Sequence, residues 1–211
     1  MSGRRPATIY HSEKGIQMNT TRDTLLDLII SLELAMFLEV QNRGGTSPCQ
    51  ERPESFRIMR EITHGVLSDT FLQRYLHDLE QARRQGRNLM TEKYALMEGL
   101  IPRRNNDPVI AEIVQAESAW RREVAAQFPR VVQPEGHAGF CLYLGCELQT
   151  YSGAALHAYA ACVQEALRGL RNLTRDRYEL LMHKLGYASL AQCEAELANR
   201  SHRGIAGDHH A

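Results

Sequence analysis

Paired cysteines, long apolar runs and an excess of either charge are all missing from this chain of 211 residues. The five cysteines (Cys49, Cys141, Cys146, Cys162 and Cys193) are odd in number, and none has CxxC spacing. That argues against a disulfide framework, a zinc ribbon or a redox motif, and reduced thiols in a cytoplasmic protein are the simplest account. No stretch approaches the roughly 20 apolar residues that span a bilayer. The N-terminal residues lack the apolar core of about 7–15 residues that marks a secretory signal. Basic and acidic residues balance at 25 each, so the basic surface that displaces counterions in a general nucleic-acid binder is absent. The pairs Arg83-Arg84, Arg103-Arg104 and Arg121-Arg122 sit among acids and read as solvated helix faces. Sustained period-2 alternation is also absent, which excludes a sheet-based architecture.

What is present is self-similarity. A shift of 84 residues (33 to 117, 94 to 178) lays the second half on the first without a gap. Asp23 then meets Asp107, Glu33 meets Glu117, Ser68 meets Ser152, Tyr75 meets Tyr159, and Arg87-Asn88-Leu89 meets Arg171-Asn172-Leu173. An internal repeat constrains architecture before any single residue does. The expected fold is all-α. Two tandem repeats, 20–103 and 104–199, pack as one domain about a pseudo-twofold seam, with an N-terminal arm (1–19) and a C-terminal tail (200–211).

Capping and breaking residues place the helices. Thr20 or Thr21 caps the first, from about Arg22 to Asn42. The following helices run from about Glu54 to Thr63, from Ser68 or Asp69 to near Gly86, and from Met90 to Ile101. In the second half they run from Asp107 to Phe128, Phe140 to Thr150, Ser152 to Arg168 and Thr174 to Leu185. Ser189 and Gln192, at capping-box spacing, open a last helix to about Asn199.

Glu33 carries the sharpest chemical signal. At 100° per residue it points toward Leu26, Ile29, Ile30, Phe37 and Val40, away from Asp27, Ser31 and Glu39. Glu117 does the same among Ile110, Ile113, Trp120 and Val124. A carboxylate on an apolar face must be paired, hydrogen-bonded or protonated. Each is therefore a structural ion pair or a functional acid at the seam. Asn88 and Asn172 fit helix-junction turns. Tyr75, Tyr159, Tyr94 and Tyr178 fit core positions with satisfied hydroxyls. The Asn42–Gln50 loop is Gly-rich but lacks GK[ST] and follows no strand, so it is no phosphate loop. Glu147 through Ser152 crowds a carboxylate, a phenol and two hydroxyls at a helix junction.

A metal reading has partial support. Glu33 followed by Glu61-x-x-His64 matches one half of the ferritin-like di-metal pattern. In the second half Gly145 and Leu148 stand at the positions of Glu61 and His64, so only Glu33, Glu61, His64 and Glu147 remain as ligand candidates.

Several of these residues together resemble a known family. Glu33, Met36-Phe37, Gln41-Asn42, Gly44-Gly45, Cys49-Gln50, Met59-Arg60, Gly86-Arg87-Asn88-Leu89 and Glu92-Lys93-Tyr94-Ala95 are similar to the bacterial domain of unknown function 4125. Glu147-Leu148, Thr150-Tyr151-Ser152, Tyr159, Asn172-Leu173 and Gly186-Tyr187 continue the likeness over roughly residues 22–195. The resemblance implies a bacterial helical protein and no particular activity. Cys141 through Cys146 departs from the family's Glu-Thr-Tyr-Leu-Arg-Gly, losing one acid and one arginine.

Three functions follow as expectations. The first is a small-molecule enzyme, in the setting of bacterial specialised metabolism, with Glu33, Glu147 and Tyr151 catalytic. Asn42, Arg60, Asn88, Lys93, Tyr94 and Tyr159 would bind its substrate. The second is a non-catalytic helical module for a protein or metabolite. The third is a carboxylate–histidine metal-dependent oxidase or oxygenase. No cofactor is demanded by the sequence; the expected partner is a small molecule, not nucleic acid or membrane, and a homodimer is compatible with the chain.

Overall fold

The computed structural model describes residues 21–41 and 50–207, and among them every regular element is helical. In chain order the helices are α1 (Arg22–Leu38), α2 (Pro53–His64), α3 (Asp69–Arg84), α4 (Leu89–Met97), α5 (Pro108–Gln127), α6 (His137–Leu148), α7 (Gly153–Arg168), α8 (Leu173–Lys184) and α9 (Leu190–Gly207). A short 3-10 turn, Pro134–Gly136, leads into α6. The arm 1–19, the loop residue Asn42, Gly44-Gly45 and Cys49 lie outside the described residues.

The caps are local and follow the sequence. Thr21, Ser68, Asn88, Ser152 and Asn172 each accept a backbone N–H two or three residues into a helix. Such side chains satisfy donors that a helix start leaves unpaired.

The ends depart from expectation where distant groups act. α1 stops at Leu38 rather than Asn42, because Gln50 donates to the carbonyls of Phe37 (3.0 Å) and Val40 (2.9 Å) and Asn88 to that of Met36 (2.8 Å). α4 stops at Met97 rather than Ile101, because Gly99 turns left-handed (φ 67°) and Leu100 N–H returns to the Ala95 carbonyl. α9 continues past Asn199 to Gly207, since no proline interrupts that stretch.

α1 packs against α2, α3 and α4; α5 packs against α6, α7 and α8. The two groups join chiefly where α3 meets α7, α2 meets α8 and α4 meets α6. Residues 84 apart make matching bonds on the two sides. Tyr75 donates to Glu33 at 2.7 Å and Tyr159 to Glu117 at 2.8 Å. Asn88 donates to Met36 O and Glu39, and Asn172 to Trp120 O and Glu123.

One apolar core runs through both groups. Ile29, Phe71, Leu72, Leu79, Leu148 and Leu156 are fully buried in it. Burying such a side chain contributes roughly 1.5–3 kcal/mol before entropy is counted. A smaller cluster of Val124, Val132, Met182, Leu190 and Cys193 seats α9. Cys141, Cys146, Cys162 and Cys193 are free thiols. Among the described residues no helix is long and apolar enough to cross a membrane.

Candidate functional site

Side chains four apart on a helix share a face, and α2 uses that spacing to bring Arg60 and His64 inward beneath Phe56. α6 and the turn after it do the same with Tyr143, Glu147 and Tyr151. Where these faces meet α1 and α4, a buried charge cluster forms.

Its centre is the Arg60 guanidinium. Nε donates to Glu33 Oε2 (2.8 Å), and Nη2 reaches Glu33 Oε1 and Glu147 Oε1, each at 2.5 Å. Lys93 Nζ lies 3.5 Å from Glu147 Oε2, donates to the Tyr143 hydroxyl at 2.5 Å, and stands 4.1 Å from the Tyr143 ring centroid. Tyr75 donates to Glu33 and Tyr151 to Glu147 (3.0 Å), with their rings 4.6 Å apart. His64 Nε2 lies 3.1 and 3.2 Å from the two Glu33 oxygens, while its Nδ1 is buried without a hydrogen-bond partner among the described residues.

Glu33 is 0% exposed and Glu147 4%, so solvent does not stabilise their charges. Two acids, Glu33 and Glu147, face two bases, Arg60 and Lys93. Burial alone pushes the Glu33 carboxyl up, but Arg60 and His64 outweigh it and hold it far below the usual carboxylate range. Burial likewise pushes Glu147 up, and Arg60 with Lys93 hold it at about 2. Burial and the neighbouring acids push the Tyr75, Tyr151 and Tyr143 hydroxyls up, so they remain donors.

A second centre is simpler. Arg177 grips Glu117 in a two-pronged contact at 2.7 and 2.9 Å, and the hydroxyls of Tyr159 (2.8 Å) and Thr174 (3.1 Å) complete the set of donors to that carboxylate. Burial pulls the Arg177 guanidinium down, but Glu117 raises it further.

Of the residues singled out from sequence, Glu33, Arg60, Lys93, Glu147 and Tyr151 meet in the first centre, together with His64. Tyr159 belongs to the second centre. Asn88 has its carbonyl oxygen on Thr91 N–H and its amide nitrogen on Met36 O and Glu39, so it acts as a helix cap. Tyr94 is half-buried against Phe37 and Lys93. Asn42 lies outside the described residues. The metal candidates do not converge: Glu61 turns outward to Lys184 (2.7 Å), and Arg60 occupies the space between Glu33 and Glu147. Among the described residues no three His, Cys, Asp or Glu side chains are grouped to hold a metal.

Sequence reasoning missed Tyr143, Asp78 and Gln149. Tyr143 was signalled by its four-residue spacing from Glu147. Asp78 follows Phe71 and Tyr75 on the inner face of α3 and is buried there. Its carboxylate accepts Ser152 N–H at 2.9 Å, at the start of α7.

A cavity of about 210 Å³ opens at this junction, lined by residues of α3, the α3–α4 turn, the segment before α5 and the α6–α7 turn. Asp78, Arg87, Arg104, Asn105, Gln149 and Ser152 supply its polar wall. Tyr151 also lines it, and so connects the cavity to the charge cluster.

Residues 23–195 match the family model described as protein of unknown function (DUF4125), and the chain belongs to that family. No curated protein and no solved structure matches it.

Proposed function

We propose that this chain is a helical module that binds a small polar molecule in the cavity at the α6–α7 junction. In this reading the Glu33–Arg60–Glu147 cluster braces the cavity and does not serve as acid/base machinery. The observation that carries it is Gln149: its side-chain Oε1 is buried, has no hydrogen-bond partner among the described residues, and belongs to a residue on the cavity wall. A buried polar atom without a partner is costly, and a ligand donor would relieve it. The cluster supports the same division of labour. A general base works best with a pKa near the working pH, whereas Glu147 is held at about 2 and Glu33 lower still. The two halves, 20–103 and 104–199, are in this account a duplicated unit in which only one junction acquired the polar wall.

The test is a metabolite panel read by thermal unfolding of wild type and of Gln149→Leu. A compound that raises the midpoint of wild type but not of the variant supports the reading. Equal shifts in both place binding elsewhere.

One observation favours a second reading, a small-molecule enzyme. Tyr151 lines the cavity while its hydroxyl donates to Glu147, so a bound substrate would lie beside a phenol tied to a buried acid. Tyr151→Phe would then abolish turnover of a bound compound and leave its affinity nearly unchanged.

A further inference from the structure

We infer that the molecule held in this cavity is a small zwitterion, an α-amino acid or a closely related amino carboxylate. The inference rests on the cavity being the binding site, as proposed above. The wall carries both signs of charge with capacity to spare. Asp78 is 7% exposed; one of its oxygens accepts Ser152 N–H, and the other has no hydrogen-bond partner among the described residues. Gln149 Oε1 is a second acceptor without a donor. Together they suit an ammonium, which has three N–H donors and no acceptor.

The cationic side is Arg87 and Arg104, both clasped by Glu92. Arg87 uses Nε (2.9 Å) and Nη2 (2.8 Å), and Arg104 uses Nη1 (3.1 Å). Two guanidinium charges share the one Glu92 carboxylate, with Asp78 the further acid that acts on Arg87. Arg87 Nη1 and Arg104 Nη2 stay outside the clasp. Paired N–H donors of this kind match the geometry of a carboxylate. A volume of about 210 Å³ limits the ligand to a small molecule.

A second cavity shows that the architecture does not require these particular polar groups. It has about 420 Å³ and is lined by Arg22, by residues 65–68 and by residues from Cys162 to Leu173, several of them 84 positions away from those of the first cavity. There Cys162 stands for Asp78, Gly65 for Gln149, Val66 for Thr150 and Leu67 for Tyr151, while Ser68 and Arg171 retain Ser152 and Arg87. Glu165 there stands for Gln81, and Arg22 also lines that cavity, so it too is charged; the same helix junction nonetheless folds without an acid at the Asp78 position, without the amide and without the phenol. Asp78 and Tyr151 also serve Ser152 N–H and Glu147, so what the fold leaves unused is the second Asp78 oxygen and Gln149 Oε1, and a ligand ammonium would use both.

The experiment is calorimetric titration of the full chain with the free L-amino acids, and with the N-acetyl and amide derivatives of any that bind. Succinate, inorganic phosphate and glucose serve as controls. Asp78→Asn retains an acceptor for Ser152 N–H while removing the charge, and Arg104→Gln alters an exposed side chain. At least one amino acid is expected to bind, with affinity falling tenfold or more on N-acetylation, on amidation and in each variant. Succinate, phosphate or glucose binding as tightly, with sensitivity to Arg104→Gln, would overturn the zwitterion while leaving the cavity as the site. Amino-acid binding indifferent to both variants, or no binding by any probe, would overturn both. If Asp78→Asn does not fold, the wild-type derivative series and Arg104→Gln decide the matter.

Discussion

Arg60 on α2 meets Glu147 on α6 at 2.5 Å, and this contact ties the α1 group of helices to the α5 group through a buried ion pair. The same guanidinium nitrogen holds Glu33 of α1 at 2.5 Å. One side chain thus neutralises an acid from each half of the fold.

Arg60→Met leaves two buried carboxylates without their shared cation. Removing one partner of a buried pair typically costs ~3–5 kcal/mol, because the remaining charge is uncompensated. Urea denaturation of Arg60→Met is expected to show a loss of this size or failure to fold. A loss under about 1 kcal/mol, the range of exposed pairs, would mean that the cluster does not brace the fold.

Acid should weaken the protein through the same groups. Glu147 in the folded chain is held at about 2 against an ordinary 4.5, and Glu33 is depressed further. Between those values the unfolded chain binds protons that the folded chain refuses. The contribution is therefore complete above about pH 4.5 and is lost as pH falls toward 2. Circular dichroism melts from pH 7 to pH 2 should hold steady to about pH 5 and then decline. A flat profile down to pH 2 would contradict the depressed carboxylates.

Matching positions should carry matching energies. The hydroxyls of Tyr75 and Tyr159 each donate to a buried carboxylate, and a hydrogen bond to a charged group is worth ~1.5–3 kcal/mol. Tyr75→Phe and Tyr159→Phe should each cost about that much in denaturant unfolding. A large cost for one and none for the other would show that the two centres differ in energy despite their geometry.

The turn after α7 stores strain that its counterpart avoids. Gly86 ends α3 at φ 65°, whereas Leu170 occupies the matching position after α7 at φ 51° and is 96% exposed. A left-handed conformation is readily adopted by glycine and disfavoured by other residues. Leu170→Gly should stabilise the protein by about 1 kcal/mol. Gly86→Ala should destabilise it by a similar amount, both measured by urea titration.

Local chemistry was legible in the sequence, and long-range chemistry was not. Ser68 and Ser152 could be placed as caps because a cap bonds within its own first turn, whereas Asn88 and Asn172, read as helix-junction turns, prove to cap α4 and α8. The inward aim of Glu33 followed from helical periodicity, but its partners Arg60, His64 and Tyr75 depend on how α1, α2 and α3 pack. The end of α1 was misplaced for the same reason, since its last carbonyls are satisfied by Gln50 and Asn88. The cavity wall was the least legible part. Asp78, Arg104 and Gln149 come from three separate segments, and each alone looks like an ordinary polar residue of a helical protein.

The central claim is that the α6–α7 junction, not the interior of the charge cluster, holds the ligand. The most direct test is the affinity of a bound metabolite for wild type, Gln149→Leu and Lys93→Met. The account predicts that Gln149→Leu abolishes binding, while Lys93→Met, which removes a cation from Glu147 Oε2 and does not line the cavity, lowers stability but leaves affinity within about twofold. Affinity lost in Lys93→Met protein that is still folded, and retained in Gln149→Leu, would contradict it.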